Sequence, residues 1–302
     1  MRQRRRNTPD IGIAKNEKKS VAITEALKLI QADNLINSSD VVVITPNWVQ
    51  QQMPRTGVVV GTESLREVIR FVKKSNPRKI VVATGSGEKD TAKIMKAVGF
   101  EEVIQSEGAQ FVDLNKGPFV RLNLNHDSPS ATNLNKLYDE ATFLISFSQL
   151  KLHREATISA SIKNIAMGWP PAEEHGHPKM NKGIHNNLHG FIRAMAQKIT
   201  IDLSIVSANP VMVGTGPAGG IPVHTGIVFC GTDPVAVDTI GARLLGFKPQ
   251  AVYYLYDCIN NNIGVGEIEQ MNIKGLSLVE TEKIFSTAIY NKAIAIDQKE
   301  PS

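Results

Sequence analysis

Short apolar runs alternate with amphipathic segments along the first 120 residues of the chain. Buried strands are predicted at 11–14, 40–44, 79–83 and 111–114, and helices near 18–31, 62–74 and 88–98. Strands that alternate with helices in this way form βαβ units, which assemble into a mainly parallel sheet with helices on both faces. The pattern therefore predicts an α/β fold with a doubly wound, mainly parallel sheet.

The alternation continues in the second half of the chain with longer elements. Strands are predicted at 143–150 and 203–208, because both runs are apolar and short. The apolar residues of 157–168 and of 184–195 recur at helical spacing and predict two amphipathic helices. The same fold class is thus expected on both sides of the chain's midpoint.

An asparagine-rich, less regular segment near 115–142 separates the two halves. We expect two Rossmann-like sub-domains, residues 10–120 and residues 121–280, joined through this segment. The two ends, 1–9 and 297–302, are expected to be disordered, as chain termini often are.

Composition describes a globular protein that can bury its own core, since 42% of the 302 residues are hydrophobic. The net charge is +5, and four positive charges come from the start of the chain, at Arg2, Arg4, Arg5 and Arg6. The remaining body is near +1, so it is not expected to bind nucleic acid. The basic start itself suits nucleic acid, anionic lipid or a disordered end.

Cys230 and Cys258 are the two cysteines of the sequence, and no CxxC pair occurs. This chain alone therefore lacks the ligands of an iron–sulfur cluster, and a reducing compartment is favoured. We find neither a signal-peptide pattern nor an apolar run of the ~18 residues that a spanning helix needs. We predict a cytoplasmic protein that does not enter a membrane.

Candidate chemistry concentrates between Gln149 and His189, where five of the seven histidines lie. They are His153, His175, His177, His185 and His189. Lys151 and His153 end the predicted strand 143–150, and ligands of open α/β sheets bind at the carboxyl ends of strands. We predict a binding site at this strand end.

Small polar residues mark the predicted helix 157–168. At helical spacing Thr157, Ser161 and Asn164 share one face, and Lys163 projects elsewhere, beside Ser159. Short hydrogen-bonding side chains in that position contact either a ligand or a neighbouring backbone. Both interpretations stay open for this helix.

His185 and His189 stand four residues apart beside an apolar helical stripe. That spacing places two imidazoles on one face, as in helices that present two metal ligands. With His153 they form a candidate site for a divalent metal. The alternative is a pair of half-buried histidines that hydrogen-bond at the edge of the core.

Glycines at 214, 216 and 219 match GxGxxG, but Pro217 and a strand-like run follow where a dinucleotide site needs a helix. Gly214 and Gly216 still permit a close approach of backbone to a ligand. They equally suit an ordinary loop between strands.

Two aspartates and one asparagine complete the candidate ligand-binding set. Either Thr232 or Asp233 is a natural N-cap for a helix that begins at Pro234. Asp238 lies one turn further, where it is either a surface charge or a partner for imidazole or lysine. Asn47 directly follows the strand 40–44 and either forms a turn or contacts a ligand.

Several of these motifs together resemble the domain-of-unknown-function 362 (DUF362) family of α/β proteins. The similarity spans roughly residues 10–275 and rests on motifs in a fixed order: Pro46-Asn47, Lys151-x-His153, Thr157, Lys163-Asn164, His185, Gly214-x-Gly216-Pro217 and Asp233-Pro-Val-Ala-Val-Asp238. Some members carry an appended iron–sulfur domain, so the resemblance implies a redox partner protein for a chain without one. The family name itself implies no reaction.

Two positions depart from the family pattern. Thr45 stands where the family usually has Lys before Pro-Asn, and Ser207 stands where an Asp is typical. A fainter similarity, in which His153 is followed by small residues and Lys163, is to the nickel-pincer lactate racemase family. In that family imidazole acts as a base beside a pyridinium-type cofactor.

Two functional hypotheses follow, with a purely structural role as the third. In the first, the chain is an enzyme for a small anionic, carboxylated molecule: Lys151 and Lys163 neutralise the anion, and His153 or His185 moves a proton. In the second, His153, His185 and His189 hold a metal or cofactor for a redox partner, without turnover. Substrate and cofactor are unknown at this point, and a homo-oligomer is compatible with either hypothesis.

Overall fold

Strands and helices alternate along most of the chain. The structure is a computed structural model that describes residues 2–47, 50–88 and 90–297. Its strands are β1 Asp10–Lys15, β2 Val41–Pro46, β3 Lys79–Thr84, β4 Gln110–Asp113, β5 Phe119–Asn123, β6 Ala131–Asn135, β7 Phe143–His153, β8 Thr157–Ser159, β9 Leu203–Val213, β10 Ile221–Val223, β11 Ile227–Gly231 and β12 Asn272–Gly275. Its α-helices are α1 Lys19–Leu29, α2 Thr62–Lys73, α3 Thr91–Ala97, α4 Phe100–Ser106, α5 Leu137–Glu140, α6 Ser161–Gly168, α7 Ala172–His175, α8 Leu188–Lys198, α9 Pro234–Leu244, α10 Tyr253–Asn260 and α11 Leu278–Tyr290.

One large sheet forms the centre of the fold, in the order β12-β1-β11-β9-β7-β2-β3-β4, with β8 added to β7 and β10 added to β9. Along this path β11 alone runs opposite to its neighbours, and the other adjacent pairs are parallel. The α/β fold with a mainly parallel sheet is confirmed. Because β2 pairs directly with β7, the boundary predicted at residue 120 is no break in the sheet.

Two apolar cores lie on the two faces of the sheet. Along β2, Val42 and Ile44 join one core and Val41 and Val43 join the other, as alternating strand residues must. Helices α1 to α4 cover the first face, and α6, α8, α9, α10 and α11 cover the second. This layering buries both faces of the sheet and leaves the strand ends for chemistry.

Two predicted helices begin later than their sequence pattern indicates. Residues 157–159 form β8 against the end of β7, with φ +64° at Thr157, and α6 starts at Ser161. The prediction of one helix over 157–168 is therefore wrong for its first turn, because strand pairing outcompetes the helical pattern. Residues 181–187 form a 3₁₀ segment with left-handed Lys182 and Gly183, and α8 follows from Leu188. His185 and His189 thus occupy different elements.

The basic start of the chain, residues 2–6, lies along the edge of the sheet where the parallel strands begin. Each of its arginines pairs with a buried aspartate at 2.6–2.9 Å. The pairs are Arg2–Asp202, Arg4–Asp233, Arg5–Asp40 and Arg6–Asp10. Residues 2–9, for which disorder is predicted, are therefore ordered here by charge pairing. Of the end predicted at 297–302, only Asp297 is among the described residues.

None of the helices in the described part of the chain combines the length and the apolarity that crossing a membrane requires.

Replacing Arg5 by Gln is expected to lower the free energy of unfolding by about 2 kcal/mol, because the buried Asp40 carboxylate loses a charged donor at 2.7 Å. Urea unfolding measures the loss. The control is Arg55→Gln at an exposed position. An equal effect of the two substitutions would contradict the pairing.

The effect of Arg5→Gln is expected to depend on pH. Burial raises the pKa of Asp40, but the Asn37 N–H, the Arg5 guanidinium and the Thr142 hydroxyl outweigh it and lower the pKa overall. A lowered carboxyl pKa stabilises the fold above the ordinary value of about 4, and this contribution is lost as the pH falls through the folded value. The difference between wild type and variant should therefore be full near pH 6 and shrink below pH ~4.

Candidate functional site

A small cavity of about 90 Å³ lies at the carboxyl end of β7, between that strand, α6 and the loop that follows β9. Lys151, His153, Lys163 and Asn164 line it, as does Asn47 from the end of β2. Neither Asp nor Glu occurs among the described residues of its lining. The strand end at which a site is predicted thus borders a cavity that is lined by cationic and neutral polar side chains.

Lys151 lines the cavity and directly follows a shift in the register between β7 and β9, which falls between Gln149 and Lys151. Its Nζ donates to Asn47 Oδ1 at 2.9 Å and to the Val58 carbonyl at 2.8 Å. Burial, and then the charge of Lys163, lower the pKa of Lys151 to about 7. At neutral pH this amine is therefore present in both protonation states.

Lys163 reaches the same cavity from the first turn of α6. Burial lowers its pKa to about 8, against the opposing effect of the Glu155 carboxylate. Glu155 itself lies outside the cavity, where His185 Nδ1 contacts its Oε2 at 2.6 Å. Lys163 is therefore the more highly charged of the two cavity lysines near pH 7.

His153 is held as a neutral imidazole. Its Nδ1 accepts the backbone N–H groups of Glu155 at 3.2 Å and Ala156 at 3.1 Å. Burial, followed by the charges of Lys163 and Lys151, lowers its pKa to about 2. With Nδ1 occupied as an acceptor, the proton of the neutral ring resides on Nε2. His153 is thereby suited to donate a hydrogen bond rather than to take up a proton.

Ser148 and Gln149 also line the cavity, although neither is among the predicted site residues. The buried Ser148 Oγ has no hydrogen-bond partner among the described residues. Gln149 Oε1 accepts from Lys19 Nζ at 2.9 Å, and burial lowers the Lys19 pKa to about 7. The sequence signal for these two residues was the presence of three polar residues in the otherwise apolar predicted strand 143–150: Ser146, Ser148 and Gln149.

The three polar residues predicted on one helical face have different surroundings. Asn164 lines the cavity and donates through Nδ2 to the Thr45 carbonyl at 2.9 Å and to Ser146 Oγ at 3.1 Å. Ser161 Oγ lies 2.5 Å from Ser204 Oγ, where it joins α6 to the sheet. Thr157 pairs with His153 across the β7–β8 hairpin. Asn164 alone of these three is among the lining residues described for the cavity.

The three histidines of the predicted metal site do not assemble into one. His189 uses both ring nitrogens, because Nδ1 accepts from Tyr254 N and Nε2 contacts the Glu155 carbonyl, each at 3.0 Å. Among the described residues no group of three or more His, Cys, Asp or Glu side chains is placed to hold a metal ion. His185 and His189 converge instead on Glu155.

The glycine loop closes one side of the cavity with Pro217. At Gly216 a Cβ atom would lie 1.8 Å from the Leu152 carbonyl oxygen, so a side chain there would displace the end of β7. Gly214 has φ +81°, a conformation that favours glycine. At Gly216 the close approach is thus made to the protein's own backbone.

Both aspartates of α9 are engaged in holding elements together. Asp233 caps α9 through the N–H groups of Val235 and Ala236 and pairs with Arg4. Asp238 accepts from Ser161 N and Tyr254 Oη, each at 2.8 Å, and from Ile162 N. Burial raises the Asp238 pKa to about 7, although these donors lower it. Asp238 therefore caps the start of α6 and positions the helix that carries Lys163.

Substituting Asp238 by Ala is expected to cost about 3 kcal/mol of stability, because buried N–H and O–H donors lose their acceptor. Asp238→Asn keeps one acceptor oxygen and should cost less. Urea unfolding at pH 7 measures both. Equal stability of Asp238→Ala and wild type would contradict the capping role.

Comparison with known proteins places the cavity inside a recognised family region. A family model described as a domain of unknown function (DUF362) matches residues 42–243. The thylakoid-associated protein sll1697 from Synechocystis sp. (strain ATCC 27184 / PCC 6803 / Kazusa) is 23% identical over 223 residues, which are 72% of this chain and 67% of that protein.

Among solved structures, the lactate racemase apoprotein from Thermoanaerobacterium thermosaccharolyticum also shows similarity. It matches with a TM-score of 0.45 and 20% sequence identity, over 73% of this chain and 53% of that chain. This chain thus spans about half the length of that protein.

Proposed function

This chain belongs to the DUF362 family, a family of unknown function, and we propose that it is an enzyme that acts on a small anionic, carboxylated molecule. The observation that carries the proposal is a cavity lined by two lysines and by neither Asp nor Glu among the described residues. Burying two ammonium groups side by side is costly unless a negative charge joins them. A bound anion supplies that charge.

The polar lining supports an oxyanion ligand. Ser148 Oγ has no partner among the described residues, and a buried hydroxyl left without a partner loses free energy that a ligand oxygen restores. His153 presents Nε2–H on the same cavity, since its Nδ1 is occupied. Together with Lys163 these groups offer donors to the two oxygens of a carboxylate.

The dimensions of the cavity favour a small ligand. A volume of about 90 Å³ compares with a share of about 30 Å³ for one water molecule in the liquid. A carboxylate with a few further atoms fits this space, with its remainder in the opening. Acetate, glycolate and oxalate are therefore suitable first probes.

Replacing Lys163 by Met is expected to weaken acetate or glycolate binding at least about ten-fold, because the charged anchor is lost. Isothermal titration calorimetry at pH 7 measures the affinity. Lys182→Met is the matched control, since Lys182 is exposed and paired with Glu174 at 2.9 Å. Unchanged binding by the Lys163 variant, with the fold intact by circular dichroism, would remove the support for an anion site.

Anion affinity is expected to fall as the pH rises from 6 to 9. The pKa values of Lys163 and Lys151 are lowered to about 8 and about 7, so both amines lose their charge within this range. The carboxylate probes stay ionised throughout, because their pKa values lie below about 5. Titrations at four pH values test the trend, and an affinity that is constant or rises with pH would refute the role of the two lysines.

A further inference from the structure

The amine of Lys151 has two acceptors and one remaining direction. Nζ has three tetrahedral directions besides its bond to Cε. Two of them point at Asn47 Oδ1 and at the Val58 carbonyl oxygen. The amine lies on the cavity lining, and the residue is 2% exposed. A neutral amine satisfies both acceptors with its two N–H bonds and keeps its lone pair for a ligand, whereas an ammonium directs a third N–H there.

We propose that Lys151 is the proton-accepting residue of the cavity, and that Lys163 anchors the carboxylate of a ligand whose adjacent C–H bond is acidic. The inference rests on the proposed anion site and adds to it a reaction class, the abstraction of a proton. It replaces His153 and His185 as the groups that move the proton.

Geometry disfavours the two histidines for this role. The basic nitrogen of neutral His153, Nδ1, already accepts two backbone N–H groups and is unavailable to a ligand. His185 is directed at Glu155 outside the cavity. Lys163 is on the lining but is attracted by Glu155, which favours its charged form.

The charged and titratable groups around Lys151 disfavour its charged form in the absence of an anion. These groups are Lys163 on α6, His153 at the end of β7, Glu155 in the turn after β7, Lys19 on α1 and His185 in the segment before α8. Lys163 opposes a positive charge on Lys151, and Glu155 is next to Lys163 instead. Proton uptake by Lys151 is therefore favoured when an anion is present to compensate it.

The step is a simple proton transfer. The Lys151 lone pair forms a new N–H bond while the ligand's C–H bond breaks, and the electron pair of that bond stays on the ligand. The resulting anion is stabilised by the Lys163 ammonium and the Nε2–H of His153. Lys151, now an ammonium, keeps its bonds to Asn47 and Val58 and returns the proton to the same or to another atom. No external oxidant or reductant takes part.

The experiment uses nitroethane, a small carbon acid whose anion, a nitronate, resembles a carboxylate in shape and charge. Full-chain protein is incubated with nitroethane in deuterated buffer near neutral pH, and proton NMR follows loss of the C–H signal. Wild type is expected to exchange at least about ten-fold faster than an equal concentration of Lys151→Met, because a positioned base accelerates proton transfer by more than this. The wild-type rate should rise with pH and level off above the range in which Lys151 loses its proton, and acetate should inhibit it.

Matched variants separate the possible results. Lys182→Met should keep the wild-type rate, and Lys179→Gln is a stricter control. Lys179 is equally buried and bonded to two carbonyl oxygens, Gly85 at 2.8 Å and Met167 at 3.0 Å, but it is not among the described lining residues. Three results would overturn the proposal. The first is a wild-type rate no faster than that of buffer. The second is a wild-type rate in Lys151→Met, and the third is loss of exchange in His153→Gln but not in Lys151→Met.

Binding distinguishes this inference from the proposed function. If Lys151→Met still binds acetate but loses exchange, both stand, and the fold of the variant is verified by the same titration. If wild type binds acetate without accelerating exchange, the anion site stands and the base is refuted. If wild type accelerates exchange but does not bind carboxylates, Lys151 is a base and the substrate class is wrong. Should Lys151→Met fail to fold, the alternative is to carbamoylate the lysines of wild type with cyanate, with and without acetate. Slower modification of Lys151 in acetate, with Lys179 unaffected, supports the inference, and equal modification refutes it.

Discussion

Burial of positive charge without a carboxylate in the cavity lining is the constraint on which the site depends. Lys151 and Lys163 share one cavity of about 90 Å³. Burial lowers the pKa of both amines, and no carboxylate among the described lining residues forms a salt bridge with them. Carbonyl and amide oxygens of Val58 and Asn47 receive the N–H groups of Lys151. The amine of Lys151 is thus held by two neutral oxygen acceptors instead of by a carboxylate.

The sheet and its helices hold this arrangement from three directions. After the register shift that follows Gln149, β7 contributes Lys151 and His153 to the cavity lining. Asp238 caps α6 and so sets the height of Lys163 above the sheet. Close packing of Gly216 against Leu152 brings Pro217 to the remaining side. Asp238 and Gly216 therefore serve the cavity through the backbone of neighbouring elements.

The opposite edge of the sheet shows the usual solution for buried charge. Four aspartates at the ends of β1, β2, β9 and β11 each receive an arginine from residues 2–6. Each aspartate there pairs with one arginine, and these pairs hold residues 2–6 against the sheet. The two edges of the sheet thus differ in how they accommodate buried charge: arginine–aspartate pairs at one edge, and lysines without a carboxylate among the described lining residues at the other.

The sequence by itself determined the fold class, and it located the strand end and the helix that line the cavity, because strand and helix periodicities are local. The end of β7 with Lys151 and His153, and the helix with Lys163 and Asn164, were found from those patterns. Only the tertiary structure decided which partners these residues have. Gln149 meets Lys19 across 130 positions and Asp238 meets Ser161 across 77, and such separations leave no periodic signal. For the same reason sequence spacing suggested a metal site for His189, whereas the folded chain commits both of its nitrogens to the backbone.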